Sequence, residues 1–253
     1  MALIESLEKS GNWLFRWRSF MPLVLYVLAL GVMLMGWDDH FDHRSQTWIW
    51  VCLSVSLLGL WIRVVTIGYT PRGTSGRNTK EGQVAESLNT KCIYSVVRHP
   101  LYLGNYFMWL GIILYVGNAW FALVCSLLFW VYYERIMFAE EAFLQRKFGG
   151  AYFQWSRKVP AFWPKMSGFV RSGVHFSMKN VLRREYSGFL AIFVSFALLD
   201  VVKNVRDGYA VDLFDYVQPF WFYATTGAAV VALTLRTMKK RTKLLVETGR
   251  EYT

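Results

Sequence analysis

Apolar residues in this chain come in long blocks rather than at the period of a soluble helix or strand. Ser19 to Trp37, Ser45 to Ile62 and Tyr216 to Leu235 carry no charge, and Tyr186 to Val202 carries only Asp200, near its end. A hydrocarbon core roughly 30 Å thick is crossed by about 20 helical residues. The pattern therefore predicts four spanning helices. The longest block, Leu101 to Tyr133, would overshoot the bilayer at roughly 50 Å if it were one straight helix. Gly117-Asn118 near its midpoint, with Tyr115 and Trp120 beside it, has the chemistry of a turn at the interface. The block is read as a helical hairpin whose second arm runs on to about Phe138. The expected fold class is all-α, a polytopic transmembrane bundle of about six spans.

Charge sets the orientation. With six helices, the loops after the first, third and fifth hold only Arg44, Lys203 and Arg206, beside Asp38, Asp39, Asp42, Asp207, Asp212 and Asp215. The rest of the 28 Lys and Arg collect on the opposite side. Basic loops stay cytoplasmic, so both termini are expected inside. The net charge of +11 is thus first a topology signal. Nucleic acid is disfavoured as a partner, because the basic residues flank spans. Arg16 and Arg18 before the first block resemble the start of a signal peptide. The block is too long, however, and Met35-Gly36-Trp37 offers no small-residue cleavage site, so an uncleaved anchor is expected. Cys52, Cys92 and Cys125 are scattered and imply neither a metal site nor a disulfide framework. Arg236 to Lys243 is expected to lie against anionic headgroups.

Two long polar segments, Thr70 to Pro100 and Phe138 to Tyr186, flank the hairpin and are brought by it to one end of the bundle. Chemistry belongs where they meet. The first ends in Arg98-His99-Pro100-Leu101-Tyr102-Leu103-Gly104. Proline suits a first helical turn, which puts Arg98 and His99 just before the helix and Tyr102 one turn inside. Taken alone, the stretch reads equally well as a juxtamembrane anchor. Upstream, Arg72 to Thr79 is a basic loop without the Gly-Lys-Ser/Thr of a phosphate-binding loop. The second segment carries Glu134, Arg135, Glu140 and Glu141 on the continuation of the hairpin's second arm. Glu134 and Glu141 share a helix face. Acids there need partners, which Arg98 or a cationic ligand would supply; ordinary surface pairs with Arg146 and Lys147 are the plainer alternative. Asp38 to His43 on the other face places His40 and His43 three apart. A solvated loop is the preferred reading, and no metal is expected.

Arg98-His99-Pro100-x-Tyr102-x-Gly104 resembles a motif of the isoprenylcysteine carboxyl methyltransferase and phospholipid methyltransferase superfamily. Glu140-Glu141-x-x-Leu144, continuing through Phe148-Gly149, Tyr152, Trp155, Val159-Pro160, Phe162 and Pro164, is similar to that superfamily's second signature. The resemblance runs from about Leu88 to Pro164 and implies a membrane-embedded methyltransferase. It implies S-adenosylmethionine as cofactor, contacted by His99, Tyr102, Gly104, Glu140 and Glu141. Two positions depart from the pattern: Cys92 stands where glycine is usual, and Trp155 replaces a tyrosine. The chain is accordingly divided into N-terminal helices (1–69), a methyltransferase core (70–165) and a C-terminal extension with two further helices (166–253).

Transfer from a sulfonium requires chiefly that water be excluded and the acceptor be aligned within ~3–3.5 Å of the methyl carbon. Carboxylates suit a cationic amino group and ribose hydroxyls, and aromatic faces suit adenine. An anionic acceptor needs no general base, only an arginine to orient it, and Arg98 and Arg135 are the expected catalytic residues. The reading is O-methylation of an anionic lipid or lipidated acceptor at the cytoplasmic face of a bacterial inner membrane or endoplasmic reticulum. Two alternatives remain: a sterol-reductase-like enzyme using NADPH, whose family shares a related Tyr, Val-Pro and Pro pattern, and a non-catalytic lipid-binding membrane protein.

Overall fold

A computed structural model describes residues 2–37, 44–71, 85–208 and 215–246. The Asp38–His43 and Arg72–Thr79 loops singled out above lie outside the described residues. The described elements are α1 (Leu3–Trp17), α2 (Met21–Leu34), α3 (Gln46–Gly68), α4 (Pro100–Tyr115), α5 (Ala119–Phe148), α6 (Gly150–Ser156), α7 (Met178–Arg206) and α8 (Pro219–Arg241). Among the described residues the only extended pairing is one antiparallel bridge between Cys92 and Val170.

Each apolar block is a helix. Only α3, α5 and α7 are long and apolar enough to cross a membrane individually. The α1–α2 pair, bent by 80° at the break between them, makes a fourth candidate if it counts as one span. At 14 and 16 residues, α2 and α4 fall short of the ~20 that a bilayer asks for, and α8 falls short in apolarity. The hairpin is as expected. Gly117 takes φ +91° in the turn, and the Asn118 side chain accepts a hydrogen bond from Phe121 N at 2.7 Å to start α5. Pro22, Pro100 and Pro219 occupy first turns, where their missing N–H groups cost nothing.

α1 was not expected from blocks of hydrophobicity, because its apolar residues lie along faces. One face packs on α5: Tyr132 donates to Leu14 O at 3.0 Å, and Arg146 pairs with Glu8 at 2.6 and 3.0 Å. Leu3, Ile4, Trp13 and Trp17 remain exposed.

α3 and α4 approach closely where small residues face each other. A Cβ on Gly104 would stand 2.5 Å from Arg63 Cγ and 2.9 Å from Gly59 O, which leaves no room for any side chain. Two buried clusters result. One, around Leu25, Ile49, Ile112, Cys125, Phe196 and Trp221, ties together α2, α3, α4, α5, α7 and α8. The other, around Ile62, Leu103, Phe129, Tyr133, Met137 and Phe162, lies at the opposite end of the bundle and floors the site described next.

The lone acid of the fourth uncharged block is accounted for within the first cluster. Asp200 is fully buried and accepts from Tyr115 Oη (3.0 Å), Asn204 Nδ2 (3.1 Å), Gln218 N (2.7 Å) and Gln218 Nε2 (2.5 Å). Four donors match the lone-pair sites of a carboxylate.

Candidate functional site

The two polar segments meet as a strap over a helix start. Residues 92–99 form a short 3₁₀ turn (Ile93–Ser95) and an extended lead into α4, and the stretch after α6 binds them by backbone bonds. Arg98 N donates to Pro160 O (2.9 Å), His99 N to Ala161 O (3.2 Å) and Lys165 N to Val96 O (2.9 Å). Trp155 Nε1 adds a bond to Tyr94 O at 2.9 Å. The second signature's Val159-Pro160 and Phe162 therefore act partly as scaffolding. They hold His99 and Arg98 against the α5 carboxylates.

At that junction His99 lies between two acids. Its Nε2 is 2.8 Å from Glu141 Oε1, and its Nδ1 is 3.7 Å from Glu140 Oε2. Burial alone would lower the histidine pKa. The hydrogen bonds and charges of Glu140 and Glu141 outweigh it, and the pKa is raised. With a carboxylate beside each ring nitrogen, the imidazolium is the form that fits. Tyr102 Oη donates to Glu140 Oε2 at 2.8 Å, and its ring stacks on His99 with centroids 5.6 Å apart. Glu141 Oε2 accepts from Arg98 Nη1 (3.0 Å) and Tyr152 Oη (2.7 Å). Burial, then Glu141, push the Tyr152 pKa up, so its hydroxyl stays a donor.

This cluster opens on a cavity of about 620 Å³, within the ~300–1,000 Å³ usual for small-molecule sites. Glu140, Arg98, His99 and Tyr102 line it; Glu141 does not and sits behind them. Tyr94, Phe143 and Trp155 supply aromatic walls. Arg98 Nε is buried with no hydrogen-bond partner among the described residues. An orphaned charged donor beside a cavity calls for a ligand acceptor.

The structure thus brings together five of the residues singled out by sequence: Arg98, His99, Tyr102, Glu140 and Glu141. Two others stand apart. Arg135 reaches Ser10 Oγ on α1 at 3.4 Å and does not line the cavity. Gly104 packs against Arg63 and Gly59 rather than on the cavity surface. Glu134, placed by spacing on the face of Glu141, is exposed.

Several lining residues carried no sequence signal of their own. Arg18 at the α1–α2 bend, Arg63 on α3, and Arg184 and Glu185 on α7, next to Arg183, are charges at the edges of apolar blocks. They read as ordinary flanking anchors until the helices are packed. Among the described residues no group of three or more His, Cys, Asp or Glu is placed to hold a metal ion.

Helices able to span a membrane and a polar site fed by two sequence signatures define a membrane-embedded enzyme class. Residues 47–151 match the family model described as phospholipid methyltransferase. The chain is 30% identical over 154 residues to the nickel-cobalt-cadmium resistance protein NccN of Alcaligenes xylosoxydans xylosoxydans, covering 60% of this chain and 65% of NccN. It is 41% identical over 75 residues to the protein-S-isoprenylcysteine O-methyltransferase of Schizosaccharomyces pombe, covering 29% of this chain and 31% of that enzyme. It is also 28% identical over 160 residues to the cobalt-zinc-cadmium resistance protein CzcN of Cupriavidus metallidurans, covering 62% of this chain and 68% of CzcN. The match spans less than two thirds of NccN and less than a third of the Schizosaccharomyces pombe enzyme. No solved structure matches. The family model and the local match to a protein-S-isoprenylcysteine O-methyltransferase support a likeness of residues 47–151 to the isoprenylcysteine carboxyl methyltransferase and phospholipid methyltransferase superfamily.

Proposed function

We propose that the chain transfers a methyl group from S-adenosylmethionine to an oxygen of an anionic, membrane-resident acceptor, at a site on the cytoplasmic side of the membrane. The carrying observation is the cavity that Glu140, His99, Tyr102 and Arg98 line together. In the same proposal the bundle crosses the membrane about six times with both termini cytoplasmic, which puts this end of the bundle among the basic loops.

The donor set suits the cofactor. Glu140 offers a carboxylate to a cationic amino group, the Arg98 guanidinium offers its positive charge to the carboxylate beside it, and Tyr94, Phe143 and Trp155 offer faces to an adenine. Glu141 serves as a positioning residue: it holds His99 and Arg98 by their nitrogens and leaves their remaining atoms for the ligand. When bound, S-adenosylmethionine supplies an electrophilic methyl carbon on a sulfonium. An acceptor oxygen gives its lone pair to that carbon, and the carbon–sulfur bond breaks with its electrons going to sulfur. An acceptor that is already an anion releases no proton, so the cavity needs no base. Four arginines and two glutamates line the cavity, a balance that favours an anion.

Binding of S-adenosylhomocysteine to the purified full chain, read by calorimetry and by thermal shift, tests the proposal. Saturable binding, with transfer of radiolabelled methyl to the lipid fraction, is expected. Stabilisation by NADPH in place of S-adenosylhomocysteine would assign the site to a reductase. Response to neither would leave a non-catalytic lipid binder.

A further inference from the structure

The cavity is built from more of the chain than the family match covers. That match ends at residue 151, whereas Arg184, Glu185, Ser187, Gly188 and Ala191 of α7 line one side of the cavity. Across from them are Met21 and Pro22 of α2, with Met108 and Trp109 of α4 between. This part of the lining mixes apolar Met21, Pro22, Met108, Trp109 and Ala191 with Arg184 and Ser187, and it holds one buried ion pair. The α7 carboxylate of Glu185 grips Arg63 of α3 in a bidentate pair, Nε to Oε2 at 2.7 Å and Nη2 to Oε1 at 2.8 Å. Their side chains are 14% and 5% exposed, Arg63 and Glu185 respectively. Arg63 Nη1 also donates to Asn105 Oδ1 at 2.6 Å, and Asn105 Nδ2 donates to Tyr133 Oη at 3.2 Å. Tyr133 in turn packs on Tyr102 with ring centroids 4.8 Å apart.

Arg63 is therefore fixed in orientation at the boundary between two halves of one cavity. On one side lies the polar cluster of Tyr102, Glu140 and His99, and on the other the arm lined by Met108, Trp109 and α7. Described residues take up three of its five N–H bonds. The missing side chain at Gly104 gives its stem room to lie flat against α4. A buried pair of this kind adds little net stability compared with an apolar pair of the same size. It does fix a guanidinium fork in one pose, ready to meet a planar acid.

We propose that Arg63, oriented by Glu185, anchors the acid head of an amphiphilic acceptor, and that α7 walls the arm that takes its hydrocarbon tail. The proposal rests on the methyltransferase reading and deepens it. Head at Arg63, tail between Met108, Trp109 and Ala191, and the reacting oxygen turned toward the Tyr102–Glu140 end is the order of chemistry along the cavity. The region after the family match thus contributes to acceptor choice. Arg63 would touch the acceptor; Glu185 would act through Arg63.

The test uses the full chain in lipid nanodiscs and a diazirine-bearing palmitate as probe, compared with its methyl ester and with the corresponding long-chain amine. After photolysis, peptide mass spectrometry locates the label. The acid is expected to label α4 and α7 around Met108 and Ala191 at least about ten-fold more than the ester or the amine. Arg63→Gln should erase that preference. Glu185→Gln should weaken it, and Arg63→Lys should restore it in part, which a merely structural role would not do. Ala191→Trp should block labelling of the arm by acid and ester alike. S-adenosylhomocysteine binding by each variant reports whether the protein is folded and is expected to persist. Equal labelling by acid and ester in the unaltered protein would overturn the proposal, even if every variant failed to fold. Absent S-adenosylhomocysteine binding in the unaltered protein would instead overturn the methyl-donor reading and leave the acid preference to be judged by itself.

Discussion

A buried and a half-buried carboxylate centre sit at opposite ends of this bundle, and they differ in what surrounds them. Asp200 is closed. Four protein donors saturate its oxygens, and Tyr115, Phe196 and Trp221 pack ring to ring beside it. The Glu140–Glu141 centre is open: it borders a cavity of about 620 Å³, and a buried arginine N–H beside it has no partner among the described residues. Hydrogen bonding alone does not separate architecture from function, since both centres have it. The difference lies in whether the donors and acceptors are exhausted within the protein.

That contrast can be broken by exchanging damage between the two ends. Asp200→Ala takes the acceptor from Tyr115 Oη and from two Gln218 donors and leaves Asn204 Nδ2 with Tyr216 O at 3.3 Å. The largest effect on stability is therefore expected here, a loss of about 3–5 kcal/mol. Melting in one detergent measures it, and the fraction that remains folded should bind S-adenosylhomocysteine as the unaltered protein does. An Asp200→Ala protein that melts normally but has lost binding would invert the comparison.

Glu141→Gln should behave the other way. The amide keeps one acceptor for Arg98 or His99 but loses the charge that holds both, so stability should fall by only about 1–2 kcal/mol. S-adenosylhomocysteine affinity should fall at least about ten-fold, because His99 and Arg98 lose their pose toward the cavity. Calorimetry on the variant beside the melting curve gives both numbers. If affinity is retained, Glu141 is a structural group like Asp200.

A third handle exists only at the open end. The pKa of His99 is raised: burial opposes the charge, and the two carboxylates overcome it. The imidazolium is thus preferred in the folded state, and its contribution to stability is complete below the ordinary histidine value of about 6.5. It is lost as pH rises through the raised folded value. Melting temperature and S-adenosylhomocysteine affinity should therefore decline together as pH rises above the ordinary histidine value and through the raised one, and His99→Gln should flatten both. A decline that persists unchanged in that variant would place the titrating group elsewhere.

How much of this was readable from residues alone also divides between the two ends. Apolar blocks gave the helices, and Gly117-Asn118 gave the turn, because length and turn chemistry are local properties. The Arg98–Gly104 motif and Glu140–Glu141 pointed to one site because the hairpin between them has only one way to fold. Arg63 and Glu185 were opaque. Arg63 is a lone charge at the end of one apolar block and Glu185 closes the Arg183-Arg184-Glu185 run before another, and their meaning arises only when α7 packs on α3. The spans expected at α2 and α4 ran longer than the helices that form, since an uncharged block ends where charge begins but a helix ends where its backbone turns. Glu141 behind His99 and Glu140 on the cavity could not be told apart from sequence, because neighbours on a helix point about 100° apart and spacing does not say which faces in.

The smallest expected effect concerns the wall that holds His99 and Arg98 in place. Cys92 has φ +54° and ψ −130°, and among the described residues it alone of the non-glycines has positive φ. The residue cannot relax on its own. Its N–H is bound to Val170 O at 2.8 Å, and Ser95 closes on its carbonyl through N (2.9 Å) and Oγ (2.6 Å). A Cβ in this region of backbone space is a strain that glycine lacks, which gives a physical reason for the glycine usual at this position. Removing the sulfur without removing the Cβ should therefore be worse than removing both. Cys92→Gly is expected to be more stable than Cys92→Ala by about 0.5–1 kcal/mol, although glycine loses more backbone entropy on folding. The two melting temperatures, compared in the same detergent, decide the matter, and Ala melting above Gly would mean that residues 92–99 do not take the strained path that now presents Arg98 and His99 to the cavity.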